Sequence, residues 1–298
     1  MTLTQQIAQF LASGIINGTI YALLGLGLVA IHSATRVVNV AQGEFAALGA
    51  LLASTLVTRG MPLSLAAAVA VGVAAAVGGG VYRTAIRPAR DAGPLTLLII
   101  TIALHLSLKG LLLLVWGTDP HSLRPFTAGP PLRIAAAVVT RQSLWVIAVT
   151  TVVLVVLYVF FTRTILGKSL RACAVNPTAA RLMGIRVERM SALAWMIAGA
   201  LGGLAGVLIA PLTLATYDMG LILGLKGFVG AVIAGMASYP WTVAACILFG
   251  VVESLGAGLI SSNYRDGIAF GVLIAALLWR ALAALRGGLI ISEEAAQE

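Results

Sequence analysis

Arg163-Thr-Ile-Leu-Gly-Lys-Ser-Leu-Arg-Ala-Cys-Ala-Val-Asn-Pro-Thr-Ala-Ala-Arg-Leu-Met-Gly-Ile-Arg-Val-Glu-Arg-Met190 is a polar, strongly basic break in a chain that otherwise alternates apolar spans with short connectors. Arg163, Lys168, Arg171, Arg181, Arg186 and Arg189 stand there against one acidic residue, Glu188. Such an excess of Lys and Arg between apolar spans places a connector on the cytoplasmic face. Inside it, Asn176-Pro177 reads as an N-cap followed by proline at the first helical position, and Gly184 reads as the stop. This predicts a short helix over 177–183. Two readings of the segment stay open at this point: a solvated basic loop that obeys the positive-inside bias, and a docking element for a soluble partner.

The rest of the chain fixes the class. Of its 298 residues 60% are hydrophobic and 10% charged, whereas a soluble domain carries roughly a quarter charged residues. An all-α, polytopic membrane helix bundle follows, as a single transmembrane domain over 1–298 with 163–190 as its cytoplasmic loop. The net charge of +9 is explained by basic connectors on one membrane face, so no nucleic-acid partner is implied. The two cysteines, Cys173 in the basic loop and Cys246 in an apolar span, give neither a disulfide framework nor a metal site. No Lys or Arg precedes the first apolar run, which is longer than a signal-peptide core, so it reads as a retained span.

With about 20 apolar residues per crossing, spans are expected near 7–31, 41–57, 62–82, 95–116, 143–162, 191–213, 222–237, 241–260 and 267–285. The inner connectors then hold Arg36, Arg83, Arg87, Arg90, the basic loop, Arg280 and Arg286. The outer ones hold Arg59, Arg124, Arg133, Arg141 and Arg265. That asymmetry puts the N-terminus outside and the C-terminus in the cytoplasm. The 222–237 stretch is short, glycine-rich and contains Lys226, so a full span and a broken or re-entrant one both fit, and the count is eight or nine. A broken helix at membrane depth must be surrounded by protein or line a cavity.

Small residues at four-residue spacing, Gly14/Gly18, Gly199/Gly203, Gly202/Gly206 and Gly220/Gly224, predict tightly packed helices. The outer connector 117–142 contains Pro120, Pro125, Pro130 and Pro131, which favours an extended, stiff strap over a folded domain. Gly167-Lys168-Ser169 imitates the end of a phosphate-binding loop, but Thr162 stands where its first glycine is required and no strand precedes it. His32, His105 and His121 are scattered, and no nucleophile elbow or metal-ligand spacing occurs, so the chain reads as a non-enzyme.

Glu44, His105, Lys109, Lys226 and Glu253 fall inside or against spans, where a charge costs roughly 2.5–3.5 kcal/mol at a helix centre on insertion scales. They either line a polar solute path or clamp helices, for example Glu44 or Glu253 meeting Lys226. Lys109, near a span end, is expected to snorkel.

Four separated stretches resemble one family. They are Asn17-Gly-Thr-Ile-Tyr-Ala-Leu-Leu-Gly-Leu-Gly-Leu28, Val38-Asn-Val-Ala-Gln-Gly-Glu-Phe-Ala-Ala-Leu-Gly49, Gly167-Lys-Ser-Leu-Arg-Ala172 with Asn176-Pro-Thr-Ala-Ala-Arg-Leu-Met-Gly-Ile185, and Val252-Glu-Ser-Leu-Gly256 with Tyr264-Arg-Asp-Gly-Ile-Ala-Phe270. Together they are similar to the H-type permease subunit of ABC importers for branched-chain amino acids, over about residues 10–287. Thr178-Ala179-Ala180 with Gly184 is similar to the Glu-Ala-Ala-x-x-x-Gly coupling motif, with Thr178 in place of its glutamate. Gln42 stands where many relatives carry histidine.

The resemblance implies a bacterial inner-membrane protein that is paired with a second permease chain. It also implies two cytoplasmic ATPase subunits that bind the ATP, and a periplasmic solute-binding protein. No cofactor is expected in this chain itself. ATPase coupling would fall to Gly167, Lys168, Arg171, Asn176, Pro177, Ala179, Ala180, Arg181 and Gly184, with Ala179, Ala180 and Leu182 seated in a groove of the motor. Asn17, Tyr21, Asn39, Gln42, Glu44, Lys226 and Glu253 are the translocation-path candidates. The solute would be a zwitterion with an apolar side chain, although relatives also move short-chain amides and urea. The competing class is a secondary transporter coupled to protons or sodium through Glu44 or Glu253.

Overall fold

The computed structural model describes residues 3–134, 137–236, 238–259 and 266–279. Tyr264, Arg265, Arg280, Arg286 and the end of the last expected span lie outside them. In chain order the helices are α1 (Leu3–Thr35), α2 (Gln42–Thr58), α3 (Leu63–Val81, running on as a π turn, Tyr82–Ile86) and α4 (Pro94–Trp116). After the hairpin β1 (Leu132–Ile134) and β2 (Ala137–Val139) come α5 (Arg141–Arg163), α6 (Ile165–Val175) and α7 (Pro177–Leu182). The chain continues as α8 (Val187–Ile209), α9 (Met219–Ile233), α10 (Tyr239–Leu259) and α11 (Asp266–Trp279).

Six described helices are long and apolar enough to cross a membrane: α1, α3 with its π turn, α4, α5, α8 and α10. The remaining expected spans correspond to shorter helices, α2 with 17 residues, α9 with 15, and α11. At 1.5 Å per residue α9 reaches only about 22 Å, less than the roughly 30 Å of a hydrocarbon core.

The helix at the centre is α1. Residues Ile20, Leu23, Leu24, Leu26, Leu28 and Ile31 lie on all of its faces and are buried, which is what a helix apolar all round requires. Glycines set its distance from α10. A Cβ on Gly14 would stand 2.6 Å from Val251 Cα, and one on Gly18 would stand 2.6 Å from Ile247 Cα. The same holds around α8, where Gly199 and Gly203 meet Ala74 of α3, Gly202 meets Phe45, and Gly206 meets the Ala46 carbonyl of α2. The small-residue spacings of the sequence therefore mark real helix contacts, as close packing without hydrophobic drive demands.

By contrast α4 and α5 keep large apolar side chains outward, among them Leu95, Leu114, Val155 and Tyr158. A bundle face of this kind belongs against lipid or another apolar helix.

The proline-rich connector is more ordered than an extended strap. Residues 132–134 pair antiparallel with 137–139 in the register Leu132↔Val139. Gln9 of α1 both accepts from Val138 N (2.8 Å) and donates to Val138 O (3.0 Å). His121 pairs with Ala215 ahead of α9, and Gln142 Nε2 donates to Leu208 O (3.1 Å). Backbone groups of this connector thus find partners on α1 and ahead of α9, and its Gln142 side chain reaches α8.

Candidate functional site

The basic segment folds from its caps. Thr164 ends α5 and opens α6, accepting from Gly167 N at 3.0 Å. A Cβ at Gly167 would press 2.6 Å from Phe161 Cα, so this glycine permits the tight α5–α6 corner. The corner and α6 were missed in the sequence, because Arg163 to Val175 reads there as loop; the signal was Thr164 three residues before Gly167. The Asn176 carbonyl oxygen of the side chain then accepts from Thr178 N and Ala179 N, each at 3.0 Å, and starts α7 with Pro177 at its first position. Gly184, with φ +80°, closes α7 in the left-handed region with open space on every side.

Ala180, expected to seat in a groove of the motor, is instead buried against Cys173 and Val187 and seats α7 on α6 and α8. Leu182 and Met183 are the outward apolar pair, 85% and 83% exposed, with Arg181 and Lys168 also at the surface. Arg171 lines a cleft beside Tyr239. Cys173 sits beneath α7, where burial pushes its thiol above the usual range.

Two further ties hold this connector to the bundle. Arg36, in the left-handed region at φ +57°, donates from Nη2 to Ala174 O at 2.9 Å. It thereby joins the end of α1 to the end of α6. Glu188 at the start of α8 pairs with Arg87 (2.7 Å) and with Arg90, anchoring the α3–α4 connector next to it.

The path candidates separate into two groups. In the first, the chain leaves α1, and residues 36–41 fold back among the helices rather than turning outside them. Val38 O accepts from Thr101 Oγ1 at 3.0 Å, and Gln42 Nε2 donates to Ala198 O at 2.9 Å, half-way along α8. Asn39 stands at this break, its Oδ1 accepting from Ala41 N (3.1 Å) and its Nδ2 donating to Gln42 Oε1 (3.4 Å). The helix α2 therefore begins deep inside the bundle. A Cβ on Gly43 would stand 2.6 Å from Gly220 C, so the first turns of α2 and α9 abut.

The broken entry expected only near 222–237 has a counterpart at 36–41. Short helices that start at depth at matching places are a recurrent feature of transporters. Glu44 is 1% exposed, over Gly220, with Oε1 3.0 Å from His105 Nδ1. The approach is off the line of the ring N–H, so neither atom has a hydrogen bond. Lys109, one turn along α4, lies over the Tyr217 ring at 5.7 Å.

In the second group, Lys226 of α9 donates to Glu253 Oε1 of α10 at 2.7 Å and stands 3.0 Å from Asp266 of α11. Tyr21 of α1 packs on Phe249 at 5.8 Å, with the Lys226 ammonium 5.9 Å from its ring. Of the two clamps the sequence offered, Glu253 with Lys226 forms. Glu44 meets His105 instead. Asp266 was missed as a partner because its neighbours in sequence gave no indication of which helix it faces. Asn17 is half-buried on α1. Gln42 acts as an interhelical tie. Both cysteines are free and apart, and among the described residues no cluster of metal-ligating side chains occurs.

Known proteins resemble this chain in sequence or in overall fold. The chain is 29% identical to the high-affinity branched-chain amino acid transport system permease protein BraD of Pseudomonas aeruginosa, over 91% of this chain and 93% of that one. It is 27% identical to the corresponding permease protein LivH of Escherichia coli, over 93% and 95%. A chain of PsaBC from Streptococcus pneumoniae in complex with Fab superposes with TM-score 0.50 over 90% of both chains at 14% identity, a likeness of fold. The family described as branched-chain amino acid transport system, permease component, matches residues 10–277, and the chain belongs to that family of ABC permeases.

Proposed function

We propose that this chain is the membrane-spanning subunit of an ATP-driven importer of branched-chain or related hydrophobic amino acids. It would lie in a bacterial inner membrane, with nine crossings if α2, α9 and α11 all traverse it and eight if α9 is re-entrant, the N-terminus outside and α6–α7 in the cytoplasm. A second permease chain would complete the path, two ATPase subunits would dock on α7, and a periplasmic binding protein would deliver the solute. ATP would be held by the motor subunits alone.

The observation that carries this reading is α7. A six-residue helix is too short to be stable alone. It persists because Asn176 caps it and Ala180 anchors it, and it presents Leu182, Met183 and Arg181 outward. An apolar pair ringed by cations fits a groove with an acidic rim. A motor can drive alternating access only by engaging one state of the permease better than the other. The Arg36 bond to Ala174 connects that engagement to α1, the helix around which the bundle packs.

For the solute, a bundle with few internal charges suits a zwitterion with an apolar side chain, since a binding protein would perform most of the selection and a tight pore site would slow release. The names of the relatives support the same class. Short-chain amides and urea are the alternatives that a panel of labelled solutes would separate.

The test is Gly184→Asp. A substituent there must enter the left-handed region, at about 1–2 kcal/mol, and it adds negative charge to the docking face. The expected result is normal membrane insertion with loss of ATPase copurification and of ATP-dependent uptake. Full coupling in this variant would refute docking at α7, and uptake that survives ATP depletion but stops with protonophore would refute the ABC mechanism.

A further inference from the structure

On the side of the bundle that carries α6 and α7, a groove of about 460 Å³ opens between α5 and α10. Its walls are apolar: Leu26 of α1, Leu154 and Leu157 of α5, and Val243 of α10. Leu154 precedes the last residue of α5, Arg163, by a little over two turns. The apolar stretch therefore runs roughly 13 Å along the helix axis, close to the roughly 15 Å half-thickness of a bilayer's hydrocarbon core.

The other end of the groove is cationic. Arg171 of α6 reaches it beside Thr162 and Tyr239. Apart from the proximity of Tyr239, Arg171 has neither a hydrogen bond nor an ion pair among the described residues. The Phe161–Tyr239 stack, with ring centroids 4.5 Å apart, stands between this groove and an adjoining cleft of about 350 Å³ that Arg171 also lines. The outer face of α5 is open here, with Tyr158 66% exposed.

We infer that this groove holds one acyl chain of an anionic phospholipid from the leaflet on the α6 side, with its phosphate at Arg171. The inference rests on charge complementarity and length. A guanidinium with no carboxylate partner binds phosphate through two parallel N–H donors, and basic sites between helices at this level of a membrane receive anionic headgroups. A packed helix of a second protein would need apolar contact along the whole groove, and it would leave a cation at its end without a counter-charge. A lipid whose tail is apolar and whose head is anionic satisfies both ends. It would couple the seating of α6, and thus of α7, to the composition of the membrane.

Native mass spectrometry of the full chain in mild detergent tests this directly, with phosphatidylglycerol or phosphatidylcholine of matched acyl chains as the probe. The unmodified chain is expected to retain one phosphatidylglycerol with roughly tenfold preference, equivalent to about 1.4 kcal/mol. Arg171→Gln should remove the headgroup preference while Arg171→Lys keeps most of it. Leu157→Trp, which fills the groove, should lower retention of both lipids. Equal retention of the two lipids by the unmodified chain overturns the inference, as does a preference that survives Arg171→Gln. A short thiol reagent that joined Tyr158→Cys to a second permease chain would overturn it too, by showing protein in the groove. Should Arg171→Gln fail to accumulate, the lipid comparison on the unmodified chain and the Leu157→Trp variant decide the matter.

Discussion

The glycine-faced core and the basic connector use the same residue in opposite ways. In the core, Gly206 lacks a side chain because the Ala46 carbonyl of α2 occupies the place where one would go. In the connector, a Cβ on Gly184 would meet nothing within 4 Å, and the demand on that position is its φ of +80°. Core glycines bring backbones together where lipid gives no hydrophobic drive. Gly184 only ends a short helix so that the chain can turn back into α8. Close packing and chain direction are separate physical demands, and changes to the two regions should fail differently: core changes in stability, connector changes in coupling.

The largest effect is expected from the charged tie inside the core. Lys226→Met leaves Glu253 buried without its cation and should destabilise the bundle by about 3–5 kcal/mol. The double variant Lys226→Met with Glu253→Leu should recover most of that, because Asp266 is half-exposed and can hydrate. Unfolding in mixed detergent micelles measures both. Recovery of stability with uptake retained in the double variant marks the pair as a clamp. A double variant that is stable but has lost uptake assigns Lys226 and Glu253 to the path.

Next comes packing. Gly206→Val forces α8 away from α2, and overpacking of this kind costs about 1–3 kcal/mol. Gly72, with open space around it, is the control: Gly72→Val should leave stability within about 0.5 kcal/mol. Equal losses at both positions would show that the contact between α2 and α8 is not what Gly206 serves.

Most of the fold was legible because hydropathy at the scale of a membrane crossing is a strong signal. The apolar runs became helices with ends shifted by a few residues, and Asn176-Pro177 with Gly184 marked α7 almost to the residue. The depth of each helix was not legible. Residues 36–41 include Val37, Val38 and Val40, so composition cannot distinguish a segment that re-enters the bundle from one that finishes a span. Only the bonds of Thr101 and Gln42 to distant backbone place it. The pairing of buried charges was half legible: type and number were in the sequence, but His105 for Glu44 and Asp266 for Lys226 depend on which helix faces which. Ala180 was misassigned for the same reason, since a six-residue helix has too few turns for periodicity to say which side is inward.

The connector offers smaller and more local effects. Asn176→Ala removes the cap that serves Thr178 N and Ala179 N and should cost about 1 kcal/mol. That loss falls on α7 rather than on the bundle. Hydrogen exchange should therefore quicken over 177–183 while exchange in α1 and α8 stays unchanged. Quickened exchange in all three would mean that α7 folds as one unit with the core.

Cys173 gives the finest test of how α7 sits. The thiolate is the form that an alkylating reagent attacks, and burial beneath Ala180 and Val187 keeps this thiol protonated at a pH where an exposed one has begun to ionise. At pH 8 its alkylation should lag that of a cysteine placed at the exposed Leu182, and the lag should narrow as the pH rises through the elevated value. Asn176→Ala should shorten the lag as well, because a frayed α7 uncovers the sulfur. If a docked motor presses α7 onto α6 and α8, the lag should lengthen in the assembled transporter. A lag that ignores both the cap and the motor would mean that Cys173 is shielded by α6 and α8 alone, with α7 contributing nothing to its burial.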